Sequence, residues 1–244
     1  MSISKIYPSQ LGSYIVKVKN GSAWHSYDTA RLQISVGMPY HEGDKFKATI
    51  DWAKYRFKKV VICVNDTLQR YNLMLSPHVS EQEAFFRSME AGRLWIERNI
   101  TAIAELPNLG IYRWEEWRQR DEYSQNYDRI CNLYAKNETF RLAVETNIDE
   151  FWARKLIAGA VSQELFERFQ SLSRRYLLEE TAVFSMMFEE DYAVDVYPGT
   201  PLLPVTIFQG QQIEGAPSGL GKGAFTRIDF NRSKYKNDNQ RKAA

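Results

Sequence analysis

The stretch Arg31-Leu-Gln-Ile-Ser-Val-Gly-Met-Pro-Tyr-His-Glu-Gly43 predicts a strand that turns into a helix. Residues 33–36 are typical of the end of a buried strand, and Gly37, Met38 and Pro39 interrupt it before a helical pattern begins at Asp44. Ser35 is therefore predicted to lie in a strand-to-helix turn. Such a turn directs a side chain, with nearby backbone N–H groups and a helix N-terminus, at a bound ligand. The plain alternative is that Ser35 only ends the strand.

A second buried strand is predicted close behind the first. Apolar residues at 46, 50, 53 and 57 follow helical spacing, and the run Lys59-Val-Val-Ile-Cys-Val64 is apolar almost throughout. Strand, helix and strand form a parallel unit with an expected right-handed crossover. Because parallel strands end at the same edge of a sheet, Asn65-Asp66-Thr67 are predicted beside Ser35, where ligands bind in open α/β sheets.

The rest of the chain predicts long helices and short strands. Ser80 and Glu83 form a capping-box pattern in front of a long helix at 81–104. Further helices are predicted at 115–136, 138–158 and 163–189, and further strands at 13–18, 110–114, 193–197 and 224–230. We therefore predict a single α/β domain over residues 1–230, with a mostly parallel central sheet flanked by helices, and a basic, flexible tail over 231–244.

Composition is that of an ordinary globular protein. Of the 244 residues, 44% are hydrophobic and 25% are charged. The sequence has no run of about 18 apolar residues and no signal-peptide core at its start, so we expect no membrane span and a cytoplasmic location. Cys63 and Cys131 make no metal-ligand pair and are predicted to be free thiols. Because the net charge is only +2, nucleic-acid contact requires local basic clusters, of which the clearest begins at Lys222.

The sequence lacks the motifs of several common enzyme classes. Gln33 leaves only half of a Gly-x-Ser-x-Gly elbow around Ser35, and His25, His41 and His78 do not follow the order of an α/β-hydrolase triad. Neither a Gly-x-x-x-x-Gly-Lys-Ser/Thr loop nor a Gly-x-Gly-x-x-Gly fingerprint near the first strand is present. A classical serine hydrolase, a nucleotide hydrolase and a dinucleotide oxidoreductase are disfavoured, and no metal or cofactor is predicted.

A second candidate site lies far along the chain. Tyr176 and Glu180 are four residues apart, so on a helix their phenol and carboxylate address the same ligand. The plain alternative is the surface of an amphipathic helix. Tyr197-Pro198 ends a later predicted strand and adds little by itself.

Taken together, these residues resemble the cyclodipeptide synthases. The shared pattern, which runs from Leu32 to Phe208, is Ile34-Ser35-Val36-Gly37 before a helix, then Tyr176-x-x-x-Glu180, then Tyr197-Pro198, with Asp66-Thr67 and Glu122-Tyr123 between them. That family makes cyclic dipeptides from two aminoacyl-tRNAs, on a fold like the catalytic domain of class I tyrosyl- and tryptophanyl-tRNA synthetases. The resemblance implies a single Rossmann-like domain and an aminoacyltransferase that needs no ATP and no cofactor.

The resemblance also implies a role for each matching residue. Ser35 would be the nucleophile, which carries first an aminoacyl and then a dipeptidyl group in a ping-pong scheme. Tyr176 and Glu180 would hold the α-amino group of the first substrate, and Tyr123 would help to position it. Tyr197 would relay a proton during ring closure.

The family has two branches that differ at three positions. Met38, Tyr197 and Pro198 match the branch with a variable residue followed by Tyr and Pro, whereas the other branch has Asn, Tyr and Gln. The substrate-binding positions implied by the resemblance are Gln33, Gly37, Met38, Cys63, Val183, Phe184 and Pro198. Gln33 adds bulk beside Ser35, from which we expect a small first side chain rather than an aromatic one.

The tRNAs would be held mainly through their backbone charge. Family members use a basic helix after the second strand, and the corresponding helix here, from Glu81, offers Arg87, Arg93 and Arg98 interspersed with glutamates. These arginines either contact tRNA or are exposed charges paired along the helix. The expected partners are two aminoacyl-tRNAs, without DNA or membrane, and the protein is expected to be a monomer.

Two alternative functions stay open. One is a non-catalytic tRNA- or nucleotide-binding relative of class I synthetases, in which Ser35 is only a turn residue. The other is a serine esterase, for which His41 is the nearest candidate base. A full synthetase is disfavoured because the chain has neither a His-x-Gly-His-like motif nor a Lys-Met-Ser-Lys-Ser-like loop to handle ATP.

Overall fold

A six-stranded sheet is the centre of the computed structural model, which describes residues 13–19, 24–155, 162–190, 192–209 and 213–232. The strands are β1 (Tyr14–Val18), β2 (Thr29–Ile34), β3 (Lys59–Val64), β4 (Gly110–Arg113), β5 (Val194–Tyr197) and β6 (Ala224–Arg232). Their order across the sheet is β1-β6-β5-β2-β3-β4. All neighbours pair in parallel except β1, which runs antiparallel to β6. The predicted mostly parallel α/β sheet is confirmed.

Helices connect the strands and cover the sheet. They are α1 (Gly43–Lys54), α2 (Arg70–Leu73), α3 (Glu81–Ile103), α4 (Trp114–Arg118), α5 (Glu122–Lys136), α6 (Glu138–Lys155), α7 (Gln163–Glu190) and α8 (Leu203–Thr206). Ser80 caps α3 as predicted, because its side chain accepts from the N–H of Glu83. Within the ranges given above, no helix combines the length and apolarity that crossing a membrane requires.

Several boundaries differ from those predicted. The prediction of a single helix over 115–136 is wrong, because the chain forms two helices there, α4 and α5. Glu116 caps α4 by accepting from the N–H of Arg113, and this short helix buries Trp114 and Trp117 separately from the buried face of α5. β6 continues to Arg232, so the first two residues of the predicted tail belong to the sheet. Residues 233–244 and the predicted end of the 138–158 helix lie outside the described residues.

Both faces of the sheet are covered, which explains the continuous apolar run in β3. Val60, Ile62 and Val64 pack in a cluster with side chains of α1 and α3. Val61 and Cys63, which point to the other face, pack in a second cluster with side chains of α5, α6 and α7. The alternation of side chains along a strand therefore buries successive residues on opposite faces.

β2 follows the same alternation and so decides where Ser35 lies. Residues 30, 32 and 34 belong to the cluster of α1 and α3. Arg31 faces α7, where its Nη1 donates to the carbonyl oxygen of Met187 at 2.6 Å, and Gln33 Nε2 approaches Sδ of the same residue. Ser35 comes next in this odd-numbered series and lies just past the end of β2.

α7 is the central helix of the second cluster. It is 28 residues long, and every residue from Leu177 to Phe188 is buried. A helix that is buried on all sides is normally apolar all round. Glu179 and Glu180 fall inside this segment, so two neighbouring carboxylates are buried beside the sheet.

Candidate active site

Ser35 lies in a turn that its own backbone and His41 hold in place. The N–H of Met38 donates to the carbonyl oxygen of Ser35 at 3.2 Å, and Gly37 has φ +88°, a left-handed conformation that favours glycine. The N–H of Ser35 donates to Nδ1 of His41 at 2.9 Å. Burial lowers the pKa of His41 to about 4, so this ring is neutral at pH 7. Because Nδ1 of His41 holds the backbone of Ser35 and not its hydroxyl, the geometry disfavours a serine esterase with His41 as base.

Three hydroxyl groups form a chain at the ends of β2 and β5. Oγ of Ser35 lies 3.2 Å from the hydroxyl of Tyr197, which in turn lies 2.7 Å from the hydroxyl of Tyr40. Burial raises the pKa of Tyr197, while its hydrogen bonds to Ser35 and Tyr40 act in the opposite direction. A Cβ at Gly199 would fall 2.6 Å from Cε1 of Tyr197, so the absence of a side chain there leaves room for the ring.

Tyr176 and Glu180 face the same cavity as Ser35, as their spacing on one helix face predicts. Oε2 of Glu180 is buried and has no hydrogen-bond partner among the described residues. Burial, and after it the charge of Glu179, raises the pKa of Glu180 to about 8. Burial and then the charge of Glu180 raise the pKa of Tyr176 well above its usual value. A buried carboxylate without a partner is costly, so Glu180 indicates a binding site for a hydrogen-bond-donating or cationic group.

The neighbouring Glu179 is in a different environment, a fully occupied hydrogen-bond network. Both terminal nitrogens of Arg70 donate to it, Nη1 at 2.8 Å. The hydroxyl of Tyr71 and Nε1 of Trp114 each donate to it at 2.9 Å. Burial alone would raise the pKa of Glu179, but the hydrogen bonds and charge of Arg70 outweigh it and the pKa is lowered. Glu179 therefore acts as the anionic centre of an ion pair that joins α7 to α2 and α4.

The cavity beside Ser35 has a volume of about 550 Å³. It is lined by seven of the residues that the sequence predicts for the site, namely Ser35, Tyr176, Glu180, Tyr197, Gln33, Met38 and Phe184. Other lining residues are Asn147, Glu150, Phe151 and Arg154 of α6 and residues 199–202. The structure thus brings the serine, the phenol–carboxylate pair and Tyr197 into one space.

Five predicted site residues are not among the described residues that line this cavity. Gly37 and Pro198 lie next to lining residues, and Cys63 and Val183 are buried in the apolar cluster around α7. Tyr123 stacks on Tyr127, with ring centroids 5.9 Å apart, and lies under Arg118. Burial and then the charge of Glu179 raise its pKa to about 12. Tyr123 therefore lies near Glu179 and not at the cavity. A sequence pattern cannot show which of the two neighbouring glutamates a tyrosine approaches.

Gln33 lines the cavity, and both the nitrogen and the oxygen of its side-chain amide are hydrogen-bonded. Its Nε2 donates to Oδ1 of Asp195 at 2.5 Å, and its Oε1 accepts from Nδ2 of Asn65 at 3.3 Å. Asp195 is fully buried and pairs with Arg31 at 2.8 Å. Because the Arg31–Asp195 ion pair orients the amide, Gln33 presents a fixed surface beside Ser35.

The three arginines expected to contact tRNA are all on α3 and all form ion pairs. Arg87 pairs with Glu83, and Arg93 pairs with Glu90 and Glu97 on the same helix. Arg98 pairs with Glu42 at 3.0 Å. In the free protein these arginines are exposed, paired charges.

Sequence reasoning missed several residues of the cavity. Tyr40 is in the opening stretch, two residues after Met38, and its position beside Pro39 gave no sign that it contacts Tyr197. Asn65 was placed at the strand edge but was not assigned to the site. The α6 residues Asn147, Glu150 and Arg154 lacked any motif, because only the packing of α6 brings them to the cavity.

Comparisons with known proteins match the fold and not the sequence as a whole. Neither the protein-family models nor the curated proteins contain a match. A solved CDPS from Fluoribacter dumoffii superposes with a TM-score of 0.75 at 24% identity, covering 90% of this chain and 100% of that one. The chain has the fold of the cyclodipeptide synthases.

Two other cyclodipeptide synthase structures support this assignment of the fold. One is from Mycobacterium tuberculosis, with a TM-score of 0.68, 14% identity and coverage of 91% of this chain and 95% of that one; it is described as demonstrating that cyclodipeptide synthetases are related to type I tRNA synthetases. The other, from Candidatus Glomeribacter gigasporarum, is bound to Phe-tRNA, with a TM-score of 0.62, 20% identity and coverage of 84% and 88%.

Proposed function

We propose that the protein is a tRNA-dependent cyclodipeptide synthase. The observation that carries the proposal is the meeting of Ser35, Tyr197, Tyr176 and Glu180 in one cavity, although they come from three separate parts of the chain. Aminoacyl transfer needs a nucleophile, a hydroxyl that exchanges protons with it and a group that holds the substrate amine. These four side chains supply all three.

In the first step, Oγ of Ser35 attacks the ester carbonyl of an aminoacyl-tRNA. A new C–O bond forms to Ser35, the bond to the ribose oxygen breaks, and the serine proton passes to that oxygen. The tRNA leaves deacylated. Because the ester is already activated, the step exchanges one ester for another and requires no ATP. The hydroxyl of Tyr197, 3.2 Å from Oγ, is placed to orient the serine hydroxyl for this attack.

Glu180 provides the means to select aminoacyl groups over other acyl groups. Its carboxyl is buried and its Oε2 has no hydrogen-bond partner among the described residues, and burial raises its pKa to about 8. A bound ammonium would supply the missing hydrogen bond and the opposite charge that favours the ionised carboxylate. Tyr176 lines the same part of the cavity and adds a hydroxyl that can accept from the ammonium.

In the second step, the amine of the aminoacyl-enzyme attacks the ester carbonyl of a second aminoacyl-tRNA. A peptide C–N bond forms, the bond to the ribose oxygen breaks, a proton of the amine passes to that oxygen, and the second tRNA leaves deacylated. The new N-terminus of the dipeptidyl-enzyme then attacks the Ser35 ester and closes the diketopiperazine ring, which releases Oγ. The cavity volume of about 550 Å³ is within the usual range for small-molecule sites. We assign the part of the cavity lined by α6 and residues 199–202 to the second aminoacyl group.

The finer assignments belong to the same proposal. We assign the chain to the branch with a variable residue, Tyr and Pro, because Met38, Tyr197 and Pro198 match it. Gln33 and Phe184 both line the cavity, and we expect their bulk to favour a small first side chain. Arg87, Arg93 and Arg98 are proposed to exchange their glutamate partners for tRNA phosphates on binding.

The proposal is tested by mass spectrometry of culture medium after bacterial expression. The wild-type protein is expected to release cyclic dipeptides that Ser35→Ala does not. Ser88→Ala is a matched control, since the hydroxyl of Ser88 donates to the carbonyl of Phe85 on its own helix and Ser88 is not among the described residues that line the cavity. Identical metabolite profiles for wild type and Ser35→Ala would contradict the proposal, and the products would name the two amino acids.

A second experiment tests the covalent intermediate directly. Purified protein is mixed with tRNA charged with radiolabelled amino acids, quenched in acid and analysed by intact-protein mass spectrometry. Wild type is expected to carry an acid-stable aminoacyl ester on Ser35. Binding of tRNA without any label on the protein would instead favour the non-catalytic relative of class I synthetases.

A further inference from the structure

Tyr40 has no role in the steps described above, yet its hydroxyl contacts the hydroxyl of Tyr197. The hydroxyl oxygens of Tyr40 and Tyr197 are 2.7 Å apart, closer than the 3.2 Å between Tyr197 and Ser35. The Tyr40 side chain is half-buried and lines the cavity. Its ring meets the rings of Tyr197 and His41 edge to face, at interplanar angles of 85° and 88°.

The backbone around Tyr40 holds the ring in this position. Residues 39–41 form a 3₁₀ turn with Pro39 at its start, and the N–H of His41 donates to the carbonyl of Met38 at 2.9 Å. The carbonyl of His41 accepts from Nε1 of the buried Trp95, also at 2.9 Å. Tyr40 is therefore fixed between two anchored neighbours, and its hydroxyl reaches Tyr197 without a loop movement.

The protonation state of Tyr40 makes its hydroxyl a donor. Burial, and after it the proximity of Tyr197, raises the pKa of Tyr40 well above its usual value. Tyr40 therefore keeps its proton at any pH at which the protein would work. Tyr197 has one proton and two neighbouring oxygens, so when it points its proton at Ser35 it accepts from Tyr40.

We propose that Tyr40 is a positioning residue for ring closure, which donates a hydrogen bond to the Tyr197 oxygen and directs the Tyr197 proton at Oγ of Ser35. The inference rests on the proposed function. Nothing in the sequence resemblance assigns a role to this position.

The chemistry of the step balances without any further reactant. As the dipeptidyl amine attacks the Ser35 ester, a C–N bond forms and the C–Oγ bond breaks. Oγ takes the proton of the Tyr197 hydroxyl. The attacking amine nitrogen loses a proton, which passes to the Tyr197 oxygen and re-forms its hydroxyl. While the Tyr197 oxygen carries negative charge, the hydrogen bond from Tyr40 is charge-assisted, which is when such a bond is strongest.

The test is a double-mutant cycle on purified enzyme with charged tRNAs, using Tyr40→Phe, Tyr197→Phe and the double variant. Phe at position 40 keeps the ring contacts and removes only the hydroxyl. Two rates are measured, namely acylation of Ser35 and release of cyclic dipeptide, together with the amount of dipeptidyl-enzyme seen by intact-protein mass spectrometry. Tyr134→Phe is the matched control. It removes the hydrogen bond that the partly buried hydroxyl of Tyr134 donates to Glu145, and neither residue is among the described residues that line the cavity.

Tyr40→Phe is expected to slow ring closure about 10- to 100-fold, the usual loss for a hydrogen bond to a charged group. Dipeptidyl-enzyme should accumulate, acylation should change by less than about threefold, and the same substitution should have almost no further effect in Tyr197→Phe. Equal losses in both backgrounds, or an unchanged rate of ring closure, would overturn the inference while the proposed function stands. A wild-type enzyme that makes no cyclic dipeptide would overturn both.

Discussion

Glu179 and Glu180 are adjacent on α7 and both are buried, yet their surroundings differ. Glu179 faces α2 and α4, where Arg70, Tyr71 and Trp114 donate hydrogen bonds to it. Glu180 faces the cavity, and its Oε2 has no partner among the described residues. The pKa of Glu179 is lowered by its partners, whereas burial raises that of Glu180 to about 8. Burial of a carboxylate therefore does not identify a site, but burial without a partner at a cavity does.

The largest expected effect is on stability, at Glu179. Arg70→Met leaves Glu179 buried with a missing cation, and we expect it to lower the free energy of unfolding by about 3–5 kcal/mol, measured by chemical denaturation. The control is Arg174→Met, since Arg174 pairs with Glu145 at a half-exposed position and its loss should cost about 1 kcal/mol or less. Similar losses for the two variants would contradict the contrast between a structural and a surface ion pair.

The double variant Arg70→Met/Glu179→Leu sharpens this prediction. Removing both charges leaves neither member of the pair unpaired, and Arg118, whose Nε lies 3.5 Å from Glu179, keeps its ion pair with Glu115. Much of the loss from Arg70→Met should therefore be recovered. No recovery would mean that packing around Arg70, and not its charge, supplies the stability.

The second prediction concerns the pH dependence of stability at Glu180. Its carboxyl has a pKa of about 8 in the folded chain against an ordinary value of 4.5, so between these values the folded state holds a proton that the unfolded state has lost. The contribution of Glu180 to the free energy of unfolding is therefore largest below pH 4.5, and it is lost as the pH rises from there through about 8. Glu180→Gln removes this loss, and denaturation at several pH values between 5 and 9 should show a flatter profile, with the variant a few kcal/mol more stable at the alkaline end.

Glu180→Gln should also abolish cyclic dipeptide formation, because an amide cannot supply the charge that the substrate ammonium needs. A variant that is both more stable in alkali and inactive would be typical of a functional carboxylate held at a cost to folding. Full activity in Glu180→Gln would remove Glu180 from the proposed amine site.

The third prediction distinguishes Tyr176 from Tyr123. The sequence resemblance implies that both tyrosines contact or position the α-amino group of the first substrate. Tyr176 lines the cavity with Glu180, whereas Tyr123 lies beside Arg118 near Glu179. We expect Tyr176→Phe to lower kcat/KM for cyclic dipeptide by about 10- to 100-fold and Tyr123→Phe by about threefold or less. Steady-state kinetics with charged tRNA checks this. An equal loss in Tyr123→Phe would show that Tyr123 reaches the substrate in the bound state.

The smallest effect is expected on α3, where the ion pairs are exposed. Arg98→Gln should leave the free energy of unfolding within about 1 kcal/mol, because its pair with Glu42 is on the surface. If Arg98 contacts a phosphate, tRNA affinity should fall about threefold and the dependence of log affinity on log salt should become shallower by about 1. Lys47→Gln, which loses an exposed pair with Asp51 on α1, is the control. The same salt dependence in both variants and wild type would exclude a phosphate contact at Arg98.

Much of the fold was predictable from the sequence because the strands are buried on both faces. The apolar run at 59–64 and the helical spacing after Asp44 correctly predict a parallel β2–α1–β3 unit. Ser80 correctly marks the start of α3. The break between α4 and α5 was missed, since it depends on where Trp114 and Trp117 find room in the core and not on a local breaker residue.

The candidate site was predictable only where a local rule applies. Ser35 follows from a strand-to-helix turn, and the pairing of Tyr176 with Glu180 follows from the helical repeat. By contrast, no local rule separates Glu179 from Glu180, or finds Tyr40 beside Tyr197 across 157 positions of sequence. Each depends on which elements pack against one helix face or strand end.

The sequence by itself determined the strands, most of the helices and the position of Ser35 at the end of β2, because hydrophobic periodicity and turn residues act over a few neighbouring positions. Only the tertiary structure decided which of two buried carboxyl groups is paired with Arg70 and which faces the cavity with no hydrogen-bond partner for its Oε2 in the described part of the chain. The physical reason is that the environment of a buried charge is set by groups distant in the chain, whose desolvation and partners no local pattern records.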